Sequence, residues 1–327
     1  MKLTPDVLEL DTKKAADAIA ERLRDIVVGT LKRRGVVVGL SGGIDSSVTA
    51  GLAVLALGKQ HVLGLLMPET DSADETLGLS RSVAAALGID TVHEDITPIL
   101  WAARCYERRD DAIRKVVPDY GKGWKSKIVL PNVLDSDAIH FYSVVVQAPD
   151  GSSQKIRMTP EAYLGVVAAT NFKQRTRKML EYYHADRLNY CVAATPNRLE
   201  YDQGFFVKGG DGLGDVKPIA HLYKTQVYAL AKEVGIPAEV RSRRPTTDTY
   251  SLPQSQDEFY FSLPYEQMDL CLWAKNHEVS APDAAAAMHL GVDQVERVYK
   301  DIEQKRRTTH YLHLRPQLIE PVPEVSG

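Results

Sequence analysis

Gly39-Leu40-Ser41-Gly42-Gly43-Ile44-Asp45-Ser46-Ser47-Val48-Thr49 is the stretch that decides how this 327-residue chain folds. The run before it, Val36-Val37-Val38, is β-branched and apolar, the composition of a strand buried on both faces of a parallel sheet. The run after it, Val48 to Leu57, is apolar and rich in good helix formers, so the glycine loop joins a strand to a helix. Gly42 and Gly43 allow a tight turn and bring backbone N–H groups close to a ligand. The start of the helix adds unpaired donors and aligned dipoles that favour an anion. Ser41, Ser46 and Ser47 supply hydroxyls, and Asp45 is an acid where a phosphate site needs a metal ion. The loop reads as a phosphate cradle without a lysine, which separates it from the GxxxxGK[ST] nucleotide loop.

Outward from the loop the pattern alternates. Ala15, Ala18, Ile19, Leu23, Ile26 and Val27 recur at helical spacing within residues 11–34, so an amphipathic helix precedes the first strand. Residues 61–67 read as a strand, 73–87 as a helix, 89–96 as a short strand, and 98–117 as a further helical stretch. Strands alternating with helices of this length predict βαβ units: an α/β fold with a doubly wound parallel sheet and flanking helices. Ligands of such sheets bind at the carboxyl edge, where the glycine loop falls. Residues 118–159 break the alternation. Ile139 to Ala148 alternates β-formers and Pro149-Asp-Gly-Ser-Ser153 is turn chemistry, so this segment is an inserted β-hairpin or lid, or a decorated connection without function. The pattern resumes with a helix over 160–183, a strand over 188–194, a loop at 204–217 and a helix at 222–234. A polar loop over 241–264 leads to helices at 265–276, 281–289 and 291–306. The expected organisation is one domain over 1–327, with the insertion at 118–159 and a C-terminal helical segment at 265–307.

Composition removes several classes. A charged fraction of 25%, a hydrophobic fraction of 44% and a formal net charge of −3 describe an ordinary globular protein with no basic nucleic-acid surface. Cys105, Cys191 and Cys271 are widely spaced, without the pairing that structural zinc or a disulfide framework needs. No apolar run reaches the length of a membrane span and no signal-type core opens the chain, so the expected location is the cytoplasm, with neither nucleic acid nor membrane as partner.

Five further segments carry chemistry. Asn171-Phe-Lys-Gln-Arg-Thr-Arg177 groups cations, and Thr195-Pro-Asn-Arg-Leu-Glu200 follows a strand. Gly204-Phe-Phe-Val-Lys-Gly-Gly-Asp-Gly-Leu-Gly-Asp215 combines a lysine with two aspartates, and Pro218-Ile-Ala-His-Leu-Tyr-Lys224 and Pro245-Thr-Thr-Asp248 come after it. The glycine loop resembles that of the N-type ATP pyrophosphatases, whose fold is adenine nucleotide alpha hydrolase-like. With the other segments, their collinear spacing and the closing Gln304-Lys-Arg-Arg307, the chain resembles the ammonia-dependent NAD synthetases over about 36–116 and 171–307.

The resemblance implies a two-step amide synthesis. The carboxylate of deamido-NAD attacks the α-phosphate of ATP, pyrophosphate leaves, and ammonia then displaces AMP from the acyl adenylate. It implies ATP contacts from the loop, Thr195, Lys224 and Thr246, and Mg²⁺ held by Asp45 and Glu200, hard oxygen ligands suited to that ion. It implies contacts to deamido-NAD from Arg175, Lys208, Asp215, Gln304 and Lys305, with Asp211 near the amidation centre, and a homodimer packed through the Arg175 helix. Ammonia is expected free or from a separate glutaminase chain. Three features differ from the family pattern. Gln304 stands where a histidine is usual, Gly209-Gly210-Asp211-Gly212 replaces Tyr-Gly-Asp-Gly, and the segment after the second strand, Leu66-Met67-Pro68, lacks the arginine that often precedes it. The alternatives are a relative that adenylates a different carboxylic acid, a non-catalytic adenine-nucleotide-binding protein, and a tRNA-thiolating relative. Retention of Asp45 with Glu200 argues against the second, and the lack of catalytic cysteines and basic surface against the third.

Overall fold

A computed structural model of the chain describes residues 3–72, 74–129, 142–243, 250–253, 260–261 and 263–325. In chain order the strands are β1 (Val36–Gly39), β2 (Val62–Leu66), β3 (Asp90–His93), β4 (Lys125–Val129), β5 (Ser143–Gln147), β6 (Ser153–Arg157) and β7 (Cys191–Ala193). The first six α-helices are α1 (Thr12–Arg24), α2 (Ile44–Leu57), α3 (Asp74–Leu87), α4 (Thr97–Ala102), α5 (Cys105–Arg114) and α6 (Pro160–Leu188). The rest are α7 (Arg198–Gln203), α8 (Lys224–Glu233), α9 (Ala238–Ser242), α10 (Tyr265–Asn276), α11 (Ala281–Met288) and α12 (Val292–His313).

The main sheet runs β3-β2-β1-β7, all parallel, with Val36 opposite Val62 on one side and Cys191 on the other. Side chains of successive strand residues point to opposite faces, and the packing follows that rule. Val36, Val38, Val62 and Leu66 join Leu23, Leu52 and Leu230 from α1, α2 and α8. Val37, Leu63 and Leu65 join Leu100, Cys105 and Ala185 from α4, α5 and α6. Helices therefore cover both faces, as the buried valine run predicts. The chain leaves β1 towards β2 and returns as β7 on the other side of β1. That reversal opens a crevice at the carboxyl ends of β1 and β7, and the glycine loop sits in it.

Several boundaries move for physical reasons. The helical stretch over 98–117 is two helices, because Arg104 adopts φ +55 and its guanidinium turns to Glu107 at 2.7 Å. The first helix ends at Arg24 and widens into a π-type turn over Asp25–Thr30, closed by Leu31 N donating to Ile26 O at 2.8 Å. Helix α6 continues to Leu188 and stops at Asn189, whose φ of 56 ends the helical path. The insertion holds more than a hairpin: β4, β5 and β6 form an antiparallel sheet in that order. Its Ile128, Val144 and Val146 pack on Ile113 of α5 and Val166 of α6. Residues 130–141 of the insertion, and Pro245, Thr246 and Asp248 of the 241–264 loop, lie outside the described residues.

The C-terminal helices form their own core, in which Met268, Leu272, Met288, Val298 and Ile302 surround Phe261. One wholly buried carboxylate ties this core to α8. Asp269 of α10 accepts from Lys224 N at 3.2 Å and Thr225 N at 2.7 Å, capping the first turn of α8. No helix among the described residues is long and apolar enough to cross a membrane. Replacing Asp269 by alanine leaves two first-turn N–H groups of α8 without their acceptor. The expected loss is about 1–2 kcal/mol of unfolding free energy, read from the denaturant midpoint; an unchanged midpoint would contradict this account of the cap.

Candidate active site

The loop after β1 is shaped by one residue above all. Gly42 has φ +68, and a Cβ there would stand 2.8 Å from Thr76 O, so only glycine fits. Gly43 then caps α2 in an extended conformation. The hydroxyls hold the turn together: Ser46 Oγ lies 3.2 Å from Ser41 Oγ and donates to Gly43 O at 3.1 Å. Ser47 donates to the same carbonyl at 2.7 Å, but it is wholly buried and does not face the crevice. Its hydroxyl braces the turn, since one residue past Ser46 the helix has turned towards the core. The crevice opens into a cavity of about 760 Å³, lined by the loop from Gly39 through Leu40 and Ile44 to Ser46, and by Thr195 after β7.

Beside the loop lies a buried charge network. Asp45, in the first turn of α2, accepts from Asn197 Nδ2 at 3.0 Å and pairs with the Lys224 ammonium. Asn197 and Glu200 form a reciprocal cap at the start of α7: Glu200 N donates to Asn197 Oδ1 at 3.2 Å, and Asn197 N donates to Glu200 Oε2 at 3.1 Å. Burial, and then the neighbouring Asp45 carboxylate, push Glu200 up to about 8, against the pull of Lys224. Burial opposes charge on Lys224 too, but Asp45 and Glu200 override it and hold the ammonium above the ordinary lysine range. Lys224 does not line the cavity and is wholly buried behind Asp45. From there its ammonium supports Asp45. Asn197 was not singled out from the sequence; its only signal is the Asn-x-x-Glu spacing of a capping box.

Asp45 and Glu200 therefore converge on one edge of the cavity, two hard oxygen donors beside a phosphate loop. Among the described residues no group of three or more His, Cys, Asp or Glu side chains could hold a metal ion. The donor set fits Mg²⁺ in the way that ion is usually held, by one or two carboxylates together with substrate phosphates.

The acceptor side is built on α6 and α12. Arg175 Nε donates to Lys208 O at 3.2 Å, and Lys208 Nζ donates to Tyr311 O at 2.8 Å, so both cations stand at one rim of the cavity. Asp211 accepts from Val207 N at 2.6 Å and also lines the cavity, its carboxyl raised by burial. Gln304 and Lys305 face the cavity from α12. Burial lowers Lys305, and Asp301, 2.6 Å away, opposes that shift. Asp215 goes elsewhere. It accepts from Val192 N at 2.8 Å and Tyr182 Oη at 3.2 Å, fastening the stretch at Val216 to β7 outside the cavity. Thr246 lies outside the described residues. Sequence reading also missed Lys178 and Glu181, a buried pair at 2.5 Å that lines the cavity under Gly39. A Cβ on Gly39 would come within 2.8 Å of Glu181 Oε1. An i,i+3 Lys–Glu pair on a helix normally reads as a solvated surface pair.

The Glu200 environment has a pH signature. Its folded-state value lies above its unfolded one, so the folded protein holds an extra proton between about pH 4.5 and 8 and loses stability as pH rises through that window. Unfolding midpoints of the metal-free protein should fall less between pH 5 and 8 in Glu200→Gln than in wild type. Parallel curves would contradict the assignment.

Comparison with known proteins agrees with this geometry. The family model described as NAD synthase matches residues 16–118 and 139–311, leaving out only the first half of the insertion and the ends. The NH(3)-dependent NAD(+) synthetase of Rhizobium meliloti is 60% identical over 321 residues, covering 98% of this chain and 96% of that protein. Among solved structures, an NMN synthetase from Francisella tularensis superposes with a TM-score of 0.65 at 20% identity, over 95% of this chain and 99% of that one. The NH3-dependent NAD synthetase of Campylobacter jejuni gives 0.61 at 22%, over 95% of this chain and 100% of that one. At those identities the two structures speak to the fold alone. A phosphate loop at the switch point of a parallel sheet, with a family match over most of the chain, leads to one conclusion: the chain belongs to the NAD synthase family.

Proposed function

We propose that this chain makes NAD from deamido-NAD, ATP and ammonia; the name of its 60%-identical relative, an NH(3)-dependent NAD(+) synthetase, supports ammonia-dependent NAD synthesis. The observation that carries the reading is the meeting, in one cavity, of the phosphate loop, the Asp45–Glu200 edge and the cations Arg175, Lys208 and Lys305. The loop N–H groups and Ser41 hold the phosphates of ATP. An oxygen of the deamido-NAD carboxylate attacks the α-phosphorus, the bond to the bridging oxygen breaks, and pyrophosphate leaves. Ammonia then adds to the acyl carbonyl, and AMP departs as the C–O bond breaks. Asp45 and Glu200 hold Mg²⁺, which when bound neutralises the charge on the departing pyrophosphate. Lys224 keeps Asp45 oriented from behind, and Asp211 stands near the amidation centre.

The same reading extends to assembly and setting. Leu164, Met179 and Tyr183 are exposed on the face of α6 that also carries Arg175, which supports a two-fold homodimer packed through this helix. The three cysteines are free and buried, which supports a reducing, cytoplasmic setting. Residues 1–327 act as one domain, the C-terminal helices being tied to α8 through Asp269. Ammonia is the nitrogen donor, a reading that the NH(3)-dependent name of the 60%-identical relative supports.

The test is product analysis with ATP, Mg²⁺, ammonium and deamido-NAD. AMP, pyrophosphate and NAD are expected in equal amounts, and Asp45→Ala should lower turnover by ~10²–10³. ADP and phosphate would contradict the chemistry. ATP–pyrophosphate exchange driven by a different carboxylic acid, with deamido-NAD inert, would overturn the substrate.

A further inference from the structure

The cavity continues well past the phosphate loop. Its lining runs back along α6 from Glu181, beside Gly39, through Lys178, Gln174 and Thr170 to Tyr163. Those two residues are eighteen positions apart on one helix, about 27 Å at the α-helical rise. A mononucleotide has only one sugar between its base and its phosphate and cannot cover this length. A dinucleotide, with two sugars and a pyrophosphate between its rings, reaches much farther.

The far end is aromatic, and part of it comes from the small antiparallel sheet. Tyr142 stands just before β5, fixed by its carbonyl accepting from Met158 N at 2.9 Å. Its ring stacks on Tyr163 of α6, with centroids 3.8 Å apart and planes 14° from parallel. Both rings line the cavity and are only partly buried. Tyr260 joins them there, with Lys305 Nζ 4.3 Å from its ring centre and Asp301 2.6 Å from the same ammonium. A flat apolar surface beside a cation and a carboxylate suits a purine on a sugar phosphate: the ring stacks, the phosphate meets Lys305, and a ribose hydroxyl donates to Asp301.

Resting on the deamido-NAD reading, we propose that the Tyr142–Tyr163 stack is the subsite for the distal, adenylyl half of the dinucleotide, and that it selects a dinucleotide over a mononucleotide acceptor. The nicotinate carboxylate must reach the α-phosphate of ATP at the glycine loop. The ring at the other end of the same molecule therefore lies along α6, away from the loop. The antiparallel sheet thus becomes a specificity element for the amidation.

The experiment compares steady-state kinetics of wild type and Tyr142→Ala with deamido-NAD and with nicotinate mononucleotide as acceptors. Loss of one stacking surface should raise the KM for deamido-NAD about five- to hundredfold. The KM for ATP, and the much weaker turnover of nicotinate mononucleotide, should hardly change. Tyr142→Leu, which keeps apolar bulk but no ring face, should move the same parameter in the same direction, and it replaces Tyr142→Ala if that variant fails to fold. An unchanged KM for deamido-NAD in a folded variant would overturn the subsite. So would equal losses for both acceptors. A wild-type enzyme that turns over nicotinate mononucleotide but not deamido-NAD would overturn the substrate reading itself.

Discussion

The Lys224 ammonium, at the first position of α8, is shut away from solvent and paired with Asp45 at the start of α2. An isolated ammonium in such a place costs several kcal/mol, so α8 and α2 dock stably only with the two charges together. That pairing sets where Asp45 points. Asn197 holds the other Asp45 oxygen, and its cap with Glu200 fixes the start of α7 beside it. Three helix starts from distant parts of the chain thereby converge on the carboxyl edge of the sheet. Burial first, and then the second carboxylate beside one ammonium, raise Glu200 well above the ordinary carboxylate range. A site of this kind stays poised until a cation arrives with its phosphates.

Much of this was legible in the residues. The valine run at 36–38 is apolar at every position because both faces of β1 are covered, and the structure divides it between two cores. Asp45 and Glu200 were legible because each belongs to a short motif beside a strand end, and local motifs survive folding. What escaped was whatever depends on which helix packs where. Lys224 reads as a surface cation reaching for phosphate, and only the docking of α8 on α2 reveals it as a buried support. Ser47 sits one helical step past Ser46, enough to turn it from crevice to core. Asp215 reads as one more acid in a polar loop until the stretch at Val216 folds back along β7. The break at Arg104 has no glycine or proline to announce it.

The insertion shows how a decoration acquires chemistry. Its strands pack their apolar face on α5 and the first half of α6, the helix that carries Arg175 and Glu181 farther along. A rigid helix shared between two layers passes geometry from one to the other. The sheet therefore holds Tyr142 in register with a cavity whose reacting end lies many residues away. The acceptor site is assembled from the insertion, α6, the 204–217 loop and α12, none of which carries the phosphate loop. This separation lets the acceptor side vary while the ATP side keeps its motif.

The claim that most depends on the Asp45–Lys224–Glu200 arrangement is that Glu200 carries a proton until metal-bound nucleotide arrives. Calorimetric titration of MgATP into the protein at pH 7, in buffers of different ionisation enthalpy, measures this directly. About one proton should be released per site on binding, because a ligating carboxylate must be ionised, and Glu200→Gln should release none. A binding enthalpy independent of buffer in the wild-type protein would contradict the account.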